Sequence, residues 1–510
     1  MNRAMTMPRV FSSRAILALL LGAVLALAAA IGGLDRLLLP LSTAPAHADA
    51  PLSSLDPHAP TELVIHKLLQ PQQYGAPATG LPISTSGLTP VAGVTFTAKR
   101  VPGIDLTTST GWDAARALTL SQAAAAVQHE PVAGTGVTGA SGQLSLPLTV
   151  GLFYVEETGV PNGTVAGAPF LVTLPLPHPT ANHWLYTVHV YPKNARVSAS
   201  LAVDDATAVK LGDTVTWTSS TAIPHQKSID GYVVQNLIDP RLKLIDSTAQ
   251  VRVELPGHGA LVPGTDYVTR IITIGGKQAI EVEFTAAGRQ KLAHARDADP
   301  DAQVKVSYRT SALSEGELVN EVRLLPDAKS IAGAPGGGGP VKATAVTKWG
   351  PLTIKVHERG KPEHLIPGAT FKLYLTPEDA LAKRNPITVD GVSEWTTGEN
   401  GEVTIHGLRF SGFANGLDRN PSDPLFRYYY AMPTSFPKGW TGVKEPLQAT
   451  VRSTSEAQVL TVVLWRSHSD KDPGRLPTTG AQIAGGSLLG GVLLGLGVLV
   501  LARRRRREDA

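Results

Sequence analysis

Short runs of alternating apolar and polar residues dominate the chain. Leu63-Val64-Ile65-His66-Lys67-Leu68 reads as an opening strand and Gly93-Val94-Thr95-Phe96-Thr97 as another, because period-two alternation gives a strand one buried face. Gly142 to Leu148, Gly151 to Glu156 and Trp184 to Tyr191 are strand-like as well. One segment breaks the pattern. Trp112 to Val127 is rich in Ala and Leu and predicts a helix, with Thr110 as its N-cap. These elements outline a first module from about Pro51 to Lys193.

Similar runs continue beyond it. Asp213 to Thr218 and Val304 to Tyr308 alternate as half-buried strands do, and Leu318 to Leu324 closes a second module that ends near Pro340. Gly336 to Gly339 reads as a flexible surface loop at the module edge. Leu352 to Val356 opens a third module. Gly368 to Tyr374 then repeats the pattern of Gly93 to Thr97, which suggests modules of related build.

Composition sharpens this picture. Fifty Gly and 39 Pro in 510 residues suit turn-rich all-β modules. The chain has no Cys, so disulfides, thiol catalysis and Cys-ligated metals are excluded. Any covalent staple must be of another kind. The histidines are scattered without an HExxH pattern, and Gly336 to Gly339 lacks the Lys and helix of a phosphate loop. No turnover active site, metal or cofactor is therefore expected.

The two ends read as processing signals. Arg3, Arg9 and Arg14 precede an apolar core from Ala15 to Gly33, and Ala46-His47-Ala48 is a small-x-small cleavage site. This predicts a signal peptide over 1–48, cut before Asp49. Near the C-terminus, Leu476-Pro477-Thr478-Thr479-Gly480 precedes an apolar run from Ala481 to Ala502 and then Arg503 to Arg507. The run is long enough to span a bilayer, with the arginines held on the cytoplasmic side. The signal segment and the tail each carry net +3, so the stretch between them carries −2 of the chain's +4. That balance gives no support to a nucleic-acid partner.

The order LPTTG, apolar helix and basic tail resembles the sorting signal of Gram-positive surface proteins. Trp184 to Asn194 reads WLYTVHVYPKN and matches the WxxxVxVYPKN pilin motif. Together they make the chain resemble the sortase-assembled backbone pilins of the Spa/Fim type. The resemblance implies three tandem Ig-like (CNA-B-like) β-sandwich modules over 49–193, 194–340 and 341–467. A tether and sorting motif at 468–480, a membrane helix at 481–502 and a cytoplasmic tail at 503–510 would follow. It implies that a sortase, recognising Leu476, Pro477 and Thr478, cleaves between Thr479 and Gly480. The Lys193 amine of another subunit then attacks the acyl-enzyme. Implied partners are a pilus-class sortase and a housekeeping sortase, identical subunits, tip and base pilins, peptidoglycan and a host surface ligand. The implied location is a surface pilus anchored to the cell wall, reached through a membrane-bound precursor. The alternative is a minor pilin or a monomeric wall adhesin. From local chemistry alone, Pro192 should end its strand by removing a backbone donor, presenting Lys193 at a module edge.

Tyr154-Val155-Glu156-Glu157-Thr158-Gly159-Val160-Pro161 looks like that family's E-box. There a buried acid helps a lysine amine attack an asparagine amide, with loss of ammonia. Burial favours the neutral forms of both Lys and Glu, so the acid can polarise the amide and shuttle protons. In the first module Lys67, Glu157 and Asn194 match the three positions. In the second, Leu201 and Asn236 stand at the lysine and acid positions, and only Asn320 fits. In the third, Lys355 fits, Pro433 takes the acid position, and Leu460 to Arg466 offers no asparagine. Only the first module is therefore expected to carry an internal bond.

Overall fold

The computed structural model describes residues 52–71 and 77–467. The signal segment, LPTTG, the apolar run and the arginine tail lie outside these residues. No helix among the described residues is long and apolar enough to cross a membrane. The described chain is mostly β-sheet, with a few short helices, around three main apolar cores.

The opening strand Thr61–His66 forms where the sequence predicts it. It pairs antiparallel with Gln143–Leu148 and parallel with Thr187–Val190. Facing it is a second sheet of Val132–Val137, Thr95–Arg100, Gly151–Gly159 and Phe170–Leu174. Leu63, Ile65, Phe96, Phe153, Val155 and Val188 fill the space between them. The single helix expected over Trp112 to Val127 is two helices, Ser109–Ala117 and Leu120–Ala126. Leu118 is extended, and Thr119 forms a reciprocal capping box with Gln122. The T-x-x-Q spacing inside the Ala-rich run starts a new helix. The first helix is capped by Thr108, and Thr110 lies within its first turn.

The second core has Trp217, Tyr232, Phe284, Tyr308 and Trp349 at its centre. Some of its buried polar tips are answered locally: the Trp217 indole donates to Thr310 Oγ1 at 2.8 Å and the Tyr232 hydroxyl to Thr221 Oγ1 at 2.8 Å. One sheet contains Ala199–Asp204, Thr214–Ala222 and Gln303–Ala312. The other contains Tyr267–Ile274, Lys277–Phe284, Val233–Leu237 and Gly316–Leu325.

The last of these strands pairs with an 18-residue strand, Val341–Glu358. Its residues up to Trp349 close the second sandwich. It pairs antiparallel with Glu402–Arg409 from Trp349 and parallel with Gln458–Arg466 from Leu352, opening the third. The boundary expected between residues 340 and 341 therefore does not coincide with a break in hydrogen bonding. Gly350 marks the crossing, where a Cβ would stand 2.0 Å from Ser453 O.

A buried aspartate ties the same two units together. Asp205 is fully buried and accepts from Thr347 Oγ1 at 2.6 Å and from Asn415 N at 2.8 Å. Asn415 is left-handed (φ 54°), and its Oδ1 accepts from Asp205 N and Ala206 N, both at 3.1 Å. Leu211 N donates to Gly407 O and Arg409 N to Val209 O beside this knot.

The loop at Gly336 to Gly339 is not the plain surface loop expected. Gly336 is buried, and a Cβ there would stand 2.4 Å from Glu157 O in the first module. At Gly338 it would stand 2.7 Å from Thr164 O. Glycine is used here because backbone meets backbone.

Asp205→Ala should cost about 2–4 kcal/mol, because buried donors on Thr347 and Asn415 lose a charged acceptor. Calorimetry checks this. The variant should separate the melting of the second and third units, whereas Asp204→Ala, at the exposed residue just before it, should leave the profile unchanged.

Candidate functional site: a buried lysine, glutamate and asparagine

Lys67 sits between Thr61–His66 and the short strand Leu68–Leu69. Its N donates to Gly142 O at 2.8 Å and its O accepts from Val91 N at 2.9 Å, which fixes the backbone. The side chain is fully buried, with Nζ 5.7 Å from the Phe96 ring centroid and paired to Glu157 Oε1. Glu157 is buried on Gly151–Gly159 and Glu156 beside it is half-buried. A register shift between Thr95 and Phe96 sets Glu157 opposite Phe96.

Asn194 completes the cluster. Its strand Lys193–Arg196 runs parallel to Leu68–Leu69 and antiparallel to Thr164–Val165. The side chain is fully buried, and Oδ1 accepts from Gly167 N at 2.9 Å. Asn194 Nδ2 and Glu157 Oε2 have no hydrogen-bond partner. Burial pushes the Lys67 amine down to about 8; the charge of and hydrogen bond to Glu157 oppose this, and the charge on Lys193 adds to it. A buried amine of lowered basicity beside an acid and an amide is suited to acyl transfer.

Lys193 adjoins this site. Its amine is half-buried, donates to Tyr191 O at 3.3 Å, and is made less basic by burial. The strand that leads into Pro192, Thr187–Val190, ends before it, as expected, but a second strand follows at once in another sheet. Pairing resumes at Lys193, and Pro192 O accepts from Leu68 N at 3.1 Å. Proline lacks only a donor, so its carbonyl still bridges the gap. The 193/194 boundary thus falls inside a strand of the first module. Nearby, His66 Nε2 and His189 Nδ1 are 2.9 Å apart, and the His66 ring stacks on Tyr191 at 4.7 Å. Sequence reasoning did not single out this stack, nor Gly167, whose role depends on a backbone N–H that no residue type signals.

The other two units lack the cluster. In the second, Leu201 is half-buried against the core. Asn236 is buried with neither side-chain polar atom partnered, while Asn320 accepts from Asp239 N at 2.9 Å and donates to the Tyr308 hydroxyl at 3.2 Å. Among the described residues, no lysine other than Lys67 is buried.

In the third unit Lys355 does not take the lysine place. It is half-exposed and pairs with Glu402 at 2.8 Å. The Lys67 place belongs to Val356, whose N donates to Gly401 O and whose O accepts from Ile366 N, both at 2.9 Å. Gly398 and Gly401 repeat the turn of Gly139 and Gly142, and Thr397 repeats the hydroxyl bonds of Thr138. Pro433 is set opposite Phe371 across the same kind of register shift as Glu157 opposite Phe96. Leu464 O accepts from Arg359 N as Asn194 O accepts from Gln70 N. Val356, Pro433 and Leu464 are all buried. The alternation was one residue out at Lys355, because a backbone path cannot be aligned from a five-residue run.

A pH dependence follows in a protein that cannot form an amide. In Asn194→Ala, the folded pKa of Lys67 lies below its unfolded value. The unfolded chain then binds more protons between about 8 and 10.5, so stability rises with pH across that window, by at most about 3 kcal/mol. Urea midpoints at the two ends of the window should show the rise, and Lys67→Met in the same background should remove it.

Residues 58–195 match the family model for the Gram-positive pilin subunit D1, N-terminal domain. Fimbrial subunit type 2 of Actinomyces naeslundii is 30% identical over 535 residues, covering 94% of this chain and 96% of that one. Fimbrial subunit type 1 of Actinomyces viscosus is 29% identical over 508 residues, covering 92% and 94%. Among solved structures, the major pilin SpaA of Corynebacterium diphtheriae is similar with a TM-score of 0.61 at 24% identity, covering 80% of this chain and 100% of that one. With the fold shared and the sequence similarity nearly end to end, the chain belongs to the family of fimbrial subunits and carries the N-terminal domain of Gram-positive pilins.

Proposed function

We propose that this pilin is a shaft subunit, joined to its neighbours by an amide between Lys193 of one copy and Thr479 of the next. As a member of its family it is a structural subunit of a surface pilus, and not a turnover enzyme. The observation that carries the reading is WLYTVHVYPKN, in which the Lys193 amine is held by a single backbone carbonyl. Lowered basicity enlarges its neutral, nucleophilic fraction. In this reading a pilus-class sortase cleaves between Thr479 and Gly480 after recognising Leu476, Pro477 and Thr478. A housekeeping sortase transfers the finished fibre to peptidoglycan, and tip and base pilins and a host surface ligand complete the set of partners. The first module forms its own Lys67–Asn194 amide with help from Glu157.

Lys193→Ala should abolish the high-mass ladder on a blot of wall extracts while leaving secretion and melting unchanged. Lys193→Arg should fail equally, since its guanidinium stays protonated. A ladder that persists in either variant would refute the linkage.

Purified subunits should weigh one ammonia less than their sequence, about 17 Da, by acyl transfer from Asn194 to Lys67. Glu157→Ala should restore the full mass. A deficit of two or three ammonias would contradict a bond confined to the first module.

A further inference from the structure

The amide oxygen of Asn194 is held by the main chain rather than by the acid. Gly167 N donates to Asn194 Oδ1 at 2.9 Å. Glu157 Oε1 is engaged with Lys67 Nζ and Oε2 has no partner. Residue 167 also lies against the other two reactive side chains and the neighbouring main chain: a Cβ there would stand 3.0 Å from Glu157 Oε1, 3.6 Å from Lys67 Nζ and 3.1 Å from Lys193 O. Glycine lets the backbone come this close. The same peptide unit is held from its other side. The Ala166 carbonyl accepts from Gln226 Nε2, on the second unit, at 3.3 Å. A hydrogen bond at that carbonyl orients the peptide and strengthens its N–H as a donor.

We propose that the Gly167 N–H is a catalytic oxyanion donor for closure of the Lys67–Asn194 bond, with Gln226 as a positioning residue for that peptide. The inference rests on the reading that the bond forms. Charge develops on Oδ1 when the amine adds, and a preorganised donor aimed there lowers the barrier more than one that must reorganise. The neutral Lys67 Nζ forms a bond to Asn194 Cγ as the Cγ–Oδ1 π pair moves onto Oδ1, where Gly167 N–H meets it. A proton passes from Nζ through Glu157 to Nδ2. The Oδ1 pair then returns, the Cγ–Nδ2 bond breaks and ammonia leaves. One amine and one primary amide become one secondary amide and one ammonia. Glu157 is thereby left free to handle protons, since the carbonyl already has its donor.

The test replaces residue 167 by glycolic acid in the full chain through cell-free translation, which removes the N–H and adds no side chain. Ammonia loss is followed by intact mass in samples quenched at intervals, across a range of pH. The ester should slow bond closure about 100-fold, the scale of losing one oxyanion donor, with the midpoint of the pH–rate profile unchanged. Gln226→Ala should slow it less than the ester does, with the same midpoint. The ester is also melted in the Glu157→Ala background, where no bond forms, so that any loss of folding is read separately. An ester that closes within threefold of the wild-type rate overturns the proposal. So does a shifted midpoint, which would mean that Lys67 and Glu157 had moved. A wild-type chain that sheds no ammonia overturns the bond itself, and the inference falls with it.

Discussion

A lysine cannot be buried in an apolar core unless its charge is answered or removed. Leaving an isolated ammonium there costs several kcal/mol, and proteins avoid the cost by pairing it or lowering its pKa. The first module does both at Lys67. The opening strand is interrupted at this residue, its backbone is held by Gly142 and Val91, and Glu157 is turned inward by a register shift in the facing sheet. Asn194 enters on a strand that pairs with the residues directly after Lys67. The Gly336 loop then packs on the Glu157 carbonyl, so the second unit covers the back of the strand that carries the buried acid.

The third unit shows the same scaffold without the buried lysine, acid and amide. Its glycine turn, its threonine hydroxyl bonds and its register shift repeat those of the first. Val356, Pro433 and Leu464 fill the three places with apolar atoms, which need no partner. The second unit is an intermediate case. Asn320 is satisfied, and Asn236 is buried with neither side-chain polar atom hydrogen-bonded to protein.

Features that follow from local periodicity were legible from residues alone. The strands at Thr61–His66, Thr214–Ala222 and Gln303–Ala312 lie where alternation put them. Lys67, Glu157 and Asn194, far apart in the chain, meet in one core. Features set by tertiary backbone contacts were not legible. Nothing in Gly336-Gly337-Gly338-Gly339 announces a neighbour on the first module. Val341–Glu358 has no internal sign that its two halves serve different sheets. Lys355 was placed one position out because a parallel partner over a hundred residues away fixes the register. The split in the Ala-rich helix was available in principle, since Thr119 and Gln122 spell a capping box.

The pairing of Val341–Glu358 with Gln458–Arg466 has a mechanical consequence. The two segments are parallel, and Leu352 to Glu358 face Gln458 to Leu464 residue by residue. A pull along the chain reaches the third unit at the start of the first segment and leaves it at the end of the second. Such a load slides the strands past one another, so their hydrogen bonds bear it together instead of opening one after another from an end. The unit whose core holds no lysine, acid and amide at these places is thus loaded in shear by its topology, and resists the load through geometry alone.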